Sequence, residues 1–238
     1  MDSAKLTEEI RVLVTGFGPF LDINTNPSWK IARNLPPTLP SSNNRTINLI
    51  VPESYIPAVY HVILAETPSL IAKHDPHIVL HVGLALDRSY FAVEKSAPRE
   101  GYHDIPDQNR RVFTRAENKK VFGKAPGELA TGFELEGVVE AWRDECASIG
   151  ATAKGKSKSK VKAKEKEIGM ADVRHSDDVG TFVCGFIYYV SLLEMQKKGR
   201  RDVVFLHVPR LECDEEFGVG IEVVEKLIGV LVDQWKDS

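Results

Sequence analysis

The chain has only three cysteines in 238 residues, widely spaced and odd in number. That excludes a disulfide-stapled framework and points to a reducing compartment, so a cytoplasmic location is expected. No apolar run approaches the roughly 20 residues a membrane-spanning helix needs. The opening Met1–Glu9 stretch is too acidic and polar for a secretory or transit signal. Charge of either sign is scarce in excess: the formal net charge is −3, so nothing global attracts nucleic acid or a membrane surface. Metal-ligand clusters are lacking too. His74 and His77 flank Asp75 beside Pro76, and no Cys/His group answers them. No Gly-x-Ser-x-Gly elbow occurs, which argues against a serine hydrolase arrangement.

What is present alternates. Arg11–Thr15 is a short β-branched run closed by Gly16, and Asn26-Pro27-Ser28-Trp29 opens a helix, with Asn26 as N-cap and Pro27 at the first helical position. Thr46–Val51 reads as a second strand, Tyr55–Lys73 as a helix and His77–Gly83 as a third strand. This spacing predicts a parallel sheet with crossover helices, hence an α/β chain. Asp87–Val93 alternates as one or two short strands carrying Glu94, and Arg99–Arg111 reads as loop. Phe133–Ser148 has helical spacing, Met170–Arg174 is a candidate strand, Asp202–Pro209 is a clear late strand, and Phe217–Trp235 is an amphipathic helix. One domain over residues 1–238 is expected. It is interrupted by a low-complexity lysine-rich insertion around 151–167 that reads as a solvated loop, with an arm for an acidic partner as the rival reading.

The chemistry gathers at the sheet's carboxyl edge. Gly16-Phe17-Gly18-Pro19-Phe20-Leu21 begins like a dinucleotide fingerprint, but Leu21 replaces the third glycine and Pro19 occupies the turn. It also lacks the Gly-Lys-Ser/Thr of a phosphate loop. Two phenylalanines on a tight loop there suit a flat, uncharged ligand. Asp178-Val179-Gly180-Thr181-Phe182-Val183-Cys184 reads as a loop entering a buried helix, with Thr181 as N-cap and Cys184 in the first turn, where the helix dipole favours a thiolate. His207 ends the late strand and Glu94 ends another. Nucleophile, base and orienter are thereby available, with His81 and Asp87 as rival partners.

These residues carry a resemblance. Val14-Thr15-Gly16-Phe17-Gly18-Pro19-Phe20, Asn26-Pro27-Ser28-Trp29, Val82-Gly83 with Arg88 and Glu94, Ile105-Pro106-Asp107, Gly180-Thr181-Phe182-Val183-Cys184 and His207-Val208-Pro209 together resemble the pyroglutamyl peptidase I family of pyrrolidone-carboxylate cysteine peptidases. The resemblance implies a three-layer α/β/α fold with a mostly parallel central sheet, phosphorylase/hydrolase-like. It implies catalytic Cys184, His207 and Glu94, and a 5-oxoproline pocket lined by Phe17, Phe20, Ile105, Phe182 and Val183. It further implies a cytosolic protein with no cofactor and peptide substrates with an N-terminal pyroglutamate, while the residue patterns themselves point to no metal and to no nucleic-acid or membrane partner. Some members assemble as tetramers, which leaves homo-oligomerisation open here.

The chain also departs from the family pattern. Leu21-Asp22 stands where the family has Gly-Gly, Leu84 where a glutamine is common, Gly185 where a polar residue follows the nucleophile, and Asp104 where an arginine is frequent. A non-hydrolytic binder of pyroglutamyl-capped peptides, and an interaction protein acting through the basic loop, are therefore the alternative functions.

Overall fold

A computed structural model describes residues 8–20, 22–41, 45–149 and 171–236. The lysine-rich insertion and Leu21 lie outside these described residues. β1 (Glu9–Gly16) leads to α1 (Pro27–Ala32), then β2 (Thr38–Pro40), β3 (Thr46–Ile50), α2 (Tyr60–His74) and β4 (Ile78–Leu84). β5 (Phe91–Glu94), β6 (Ser96–Pro98), α3 (Arg115–Phe122), β7 (Glu128–Ala130) and α4 (Leu135–Cys146) follow. The chain continues through β8 (Val173–Ser176), α5 (Val183–Lys197), β9 (Val203–Val208) and α6 (Asp214–Gln234).

Seven of these strands form one sheet in the order β2-β3-β1-β4-β9-β5-β8, while β6 and β7 pair separately. β1 runs parallel to β3 and β4, β4 to β9, and β5 to β8. Only β2 against β3 and β5 against β9 are antiparallel within that sheet. The mostly parallel sheet expected from the alternating segments is thus observed, covered on both faces.

The strand period of two sorts side chains between the faces. Val12, Val14, Leu80, Val82, Val204 and Leu206 enter a core shared with Trp142 of α4 and Leu227 of α6. Leu13, Val79, Val203 and Phe205 enter the opposite core with Ile63 of α2 and Phe186 of α5. The second face also holds the alternate positions Thr15, His81, Gly83 and His207, so the polar residues of these strands face α5. That helix is buried nearly all round, with Gly185, Phe186, Tyr188, Tyr189, Ser191 and Leu192 all inside.

Several details differ from the sequence reading. α2 begins at Tyr60, not Tyr55, because Pro57 precedes it and Ile56 instead bridges to Phe17. β8 lies a little later than expected. α3 was not foreseen, although Thr114 and Glu117 form a complete capping box. Thr181 does not cap α5: the N-cap is Phe182, in extended conformation with no side-chain cap bond, one residue beyond the sequence expectation. Gly180 turns the chain there at φ 78°, and Thr181 packs against Gly101.

Candidate active site

The loop after β1 is built by small residues and an Asx cap. Asn26 Oδ1 accepts the Ser28 amide at 3.1 Å, capping α1, and its Nδ2 donates to Gly18 O at 2.9 Å. Ser28 Oγ accepts the Phe17 amide at 3.0 Å. A Cβ on Gly16 would lie 2.5 Å from Ser28 O, so only glycine lets α1 close on the strand end. Phe17 is thereby held inward, and Phe20 stands 5.2 Å, ring to ring, from Phe182 at the mouth of α5.

These aromatics wall a cavity of about 320 Å³ that also includes Leu84, Val183, Cys184 and His207. Cys184 is the second residue of α5. The first i→i−4 bond at this end is Phe186 N to Phe182 O, 3.0 Å, so the amides of Val183 and Cys184 precede any intrahelical acceptor. The sulfur lies over β4: a Cβ on Gly83 would come within 3.0 Å of Cys184 Sγ and 2.6 Å of Phe205 Cζ. Glycine at 83 is what makes room for the thiol. Burial pushes that thiol up to about 12, the Glu94 charge adds to the rise, and the Arg88 guanidinium opposes it. Cys184 keeps partial access from the cavity, which moderates the burial contribution. That rise opposes the thiolate that the helix dipole alone favours.

His207 lines the same cavity, on the strand beside Gly83. Its Nδ1 and Glu94 Oε1 are 2.7 Å apart, with Glu94 fully buried and His207 only 5% exposed. The register explains the meeting: Glu94 pairs with Phe205 across the antiparallel β5–β9 ladder, which makes His207 its diagonal neighbour on the same face. Arg88 Nη1 donates to the same Glu94 oxygen at 2.5 Å, and its Nη2 donates to Asp178 O at 2.7 Å. Burial works against the Glu94 charge, but His207 by hydrogen bond and charge, together with Ser176 and Arg88, holds the carboxyl below its ordinary value. With Glu94 fixed on Nδ1, His207 presents Nε2 as its remaining nitrogen.

Phe17, Phe20, Phe182 and Val183 line the cavity together with Cys184 and His207. Ile105 does not line it: its side chain is 45% exposed, and its carbonyl instead accepts Tyr60 Oη at 3.0 Å. Of the rival partners, Asp87 lies at the cavity rim, and His81 is sealed between Thr15 and Ser191.

Beyond Leu21-Asp22, the three other departures separate. Leu84 adds an apolar wall, and Asp104 sits outside the cavity lining, 3.4 Å from His103 Nε2. Gly185 is sterically dictated, since a Cβ there would lie 2.2 Å from Gly180 O. The family match included Arg88 beside Glu94 without assigning its bridge to Asp178 O, and the Asn26 cap was read from Asn-Pro-Ser without its second bond to Gly18 O.

Fold and cavity together define a class by arrangement: a three-layer α/β/α protein with a cysteine and a histidine at one aromatic-walled cavity and a glutamate bonded behind the histidine. A family model described as pyroglutamyl peptidase matches residues 10–125. Pyroglutamyl-peptidase 1 of Mus musculus is 28% identical over 92% of this chain and 90% of its own length. Its Homo sapiens counterpart is 29% identical over 84% of this chain and 79% of its own length. The Bacillus amyloliquefaciens pyroglutamyl peptidase I structure superposes with a TM-score of 0.71 at 20% identity, covering 96% of this chain and all (100%) of that one. A mutant pyrrolidone carboxyl peptidase from Pyrococcus furiosus gives a TM-score of 0.70 at 19% identity over 94% and 99% of the two chains, so both structures share the fold. The family that these comparisons indicate is pyroglutamyl peptidase I.

Proposed function

We propose that this chain is a cysteine exopeptidase, an omega-peptidase that removes an N-terminal pyroglutamyl (5-oxoproline) residue from peptides. The observation that carries the reading is the meeting of Cys184 and His207 in one aromatic-walled cavity, with Glu94 bonded behind the imidazole. A pyroglutamyl end has no charged amine, because the lactam has consumed it. The deep walls of Phe17, Phe20, Phe182 and Val183 suit such a ring, and no carboxylate is needed to hold an ammonium.

The mechanism follows from this arrangement. His207 takes the Cys184 proton as the sulfur attacks the pyroglutamyl carbonyl, and Glu94 stabilises the imidazolium. The imidazolium then protonates the departing peptide amine, leaving a thioester. Water, deprotonated by His207, hydrolyses it to free 5-oxoproline and the thiol. The amide of Cys184 is the favoured oxyanion donor, a role typically worth about 2.7–4 kcal/mol. Among the β4–β5 loop amides, Ala85 N is already committed to Val208 O at 3.0 Å and is not a donor to substrate.

A chromogenic pyroglutamyl amide tests this. Release of the amine, abolished in Cys184→Ala and His207→Ala and blocked by iodoacetamide, supports the peptidase. Binding of a pyroglutamyl peptide by folded wild-type protein without turnover would establish the non-hydrolytic binder instead. Peptide substrates are the partners this reading requires, and a cytoplasmic setting suits a free catalytic thiol. Among the described residues, no helix is long and apolar enough to cross a membrane.

A further inference from the structure

Cys184, Tyr188 and Ser191 stand at i, i+4 and i+7 on α5 and share one face of it. That face lies on the sheet, and each of the three meets a strand. The sulfur rests over Gly83 of β4. Tyr188 Oη donates to the carbonyl of Glu94 at 2.9 Å. Ser191 Oγ lies 2.6 Å from His81 Nε2, and His81 Nδ1 lies 2.6 Å from Thr15 Oγ1.

His81 and Gly83 are two residues apart on β4, so they point to the same side, and Thr15 is the register partner of His81 across β1. Burial holds the His81 imidazole neutral, with its pKa lowered to about 3. A neutral ring donates through one nitrogen and accepts through the other, so it links the Thr15 and Ser191 hydroxyls directionally. Apart from Tyr189 Oη, which donates to Pro126 O at 2.6 Å outside the seven-stranded sheet, α5 is packed elsewhere by hydrocarbon and aromatic rings, which resist separation but fix axial sliding less sharply than a directional bond.

We propose that Tyr188 and Ser191 are positioning residues, which through Glu94 and His81 set where α5 sits along the sheet and so where the Cys184 sulfur stands relative to His207. This rests on the assignment of Cys184 as nucleophile. Tyr188 is especially placed for the task, because it bonds the backbone of the very residue whose side chain orients the base. Nucleophile and base are thereby referenced to one peptide group.

The test compares Tyr188→Phe, Ser191→Ala and the control Val190→Ala, a buried position of α5 on another side of the helix. Readouts are the rate of Cys184 alkylation by iodoacetamide, followed by mass spectrometry, kcat and KM on a pyroglutamyl amide, and Tm. Tyr188→Phe and Ser191→Ala should each lower alkylation and kcat by roughly three- to tenfold with KM little changed, the scale of one lost hydrogen bond acting on alignment. Val190→Ala should lower Tm and leave both rates intact. Loss of Tm in the two test variants with unchanged rates would overturn the proposal and reduce these bonds to packing. Tyr188→Phe is nearly isosteric and decides the matter alone if Ser191→Ala does not fold. Alkylation needs no turnover: absent amide cleavage in wild type would reject the peptidase, while the alkylation comparison would still judge the seat of the sulfur.

Discussion

Replacing Glu94 by glutamine removes one charge from the site and little else. The amide oxygen can still accept from His207 Nδ1 and Arg88 Nη1, which now share Oε1 at 2.7 and 2.5 Å. What disappears is the field that favours imidazolium during attack. For unit charges about 4 Å apart at an effective dielectric of about 20, that field is worth about 4 kcal/mol. Arg88 offsets part of it in the wild type and repels the imidazolium in the variant. Glu94→Gln is therefore expected to lower kcat by roughly 10²- to 10³-fold, with KM on a pyroglutamyl amide changed by less than about threefold. Stability carries a second signature. The Glu94 carboxyl is held below its ordinary value near 4.5, so its contribution is fully present above that value and is lost as pH falls through the folded value. The Tm gap between wild type and variant should thus be widest near neutrality and close on acidification. A kcat within threefold of wild type in folded Glu94→Gln would refute the role given to the carboxylate, and a gap that widens in acid would refute its ionisation.

Further outcomes follow from steric facts. Gly83→Ala should destabilise the fold by about 1–3 kcal/mol and cut turnover at least tenfold, because the new methyl meets Phe205 and the Cys184 sulfur; unaltered kinetics would show the seat is not tight. Gly185→Asn, which restores the family's polar residue, should reduce activity in a steady-state assay, since its Cβ meets the Gly180 carbonyl; a gain would show that the 178–182 loop yields freely. Cys146→Ser and Cys213→Ser should both keep turnover. In peptide mapping after brief iodoacetamide treatment, Cys213, which is exposed, should be modified, whereas Cys146, buried and pushed up to about 12, should not.

Much of this was legible in the residues. The strands that hold the site announced themselves as apolar runs ending in glycine, histidine or glutamate, and Asn26-Pro27 marked its helix through capping chemistry. The elements that escaped were short or polar: β2, β6 and β7 have three residues each, too few to show a period. α3 is half charged, and its capping box was its one clear mark. Ile105 was placed in the pocket wall by the family resemblance alone. Its side chain instead faces outward while its carbonyl is used by Tyr60, a choice made by tertiary contacts and invisible in spacing. The setting of the Cys184 thiol was likewise hidden, because the dipole of its helix could be read from sequence but its burial, which pushes the thiol up, could not.

The antiparallel step between β5 and β9 divides the machinery into a fixed frame and a movable part. Glu94 and His207 are spaced by ladder hydrogen bonds, so their separation is as stiff as the sheet itself. The approach to Cys184 runs instead through exposed Asp178, the left-handed Gly180 and an N-cap without a side-chain bond. Changes in residues 179–182 would therefore retune how the sulfur is presented and what ring fits beside it, whereas Asp178, whose carbonyl holds Arg88 against Glu94, ties the start of this loop to the Glu94–His207 pair. For anyone redirecting this scaffold to another capped peptide, residues 179–182 are the segment to vary and the β5–β9 ladder the one to leave alone.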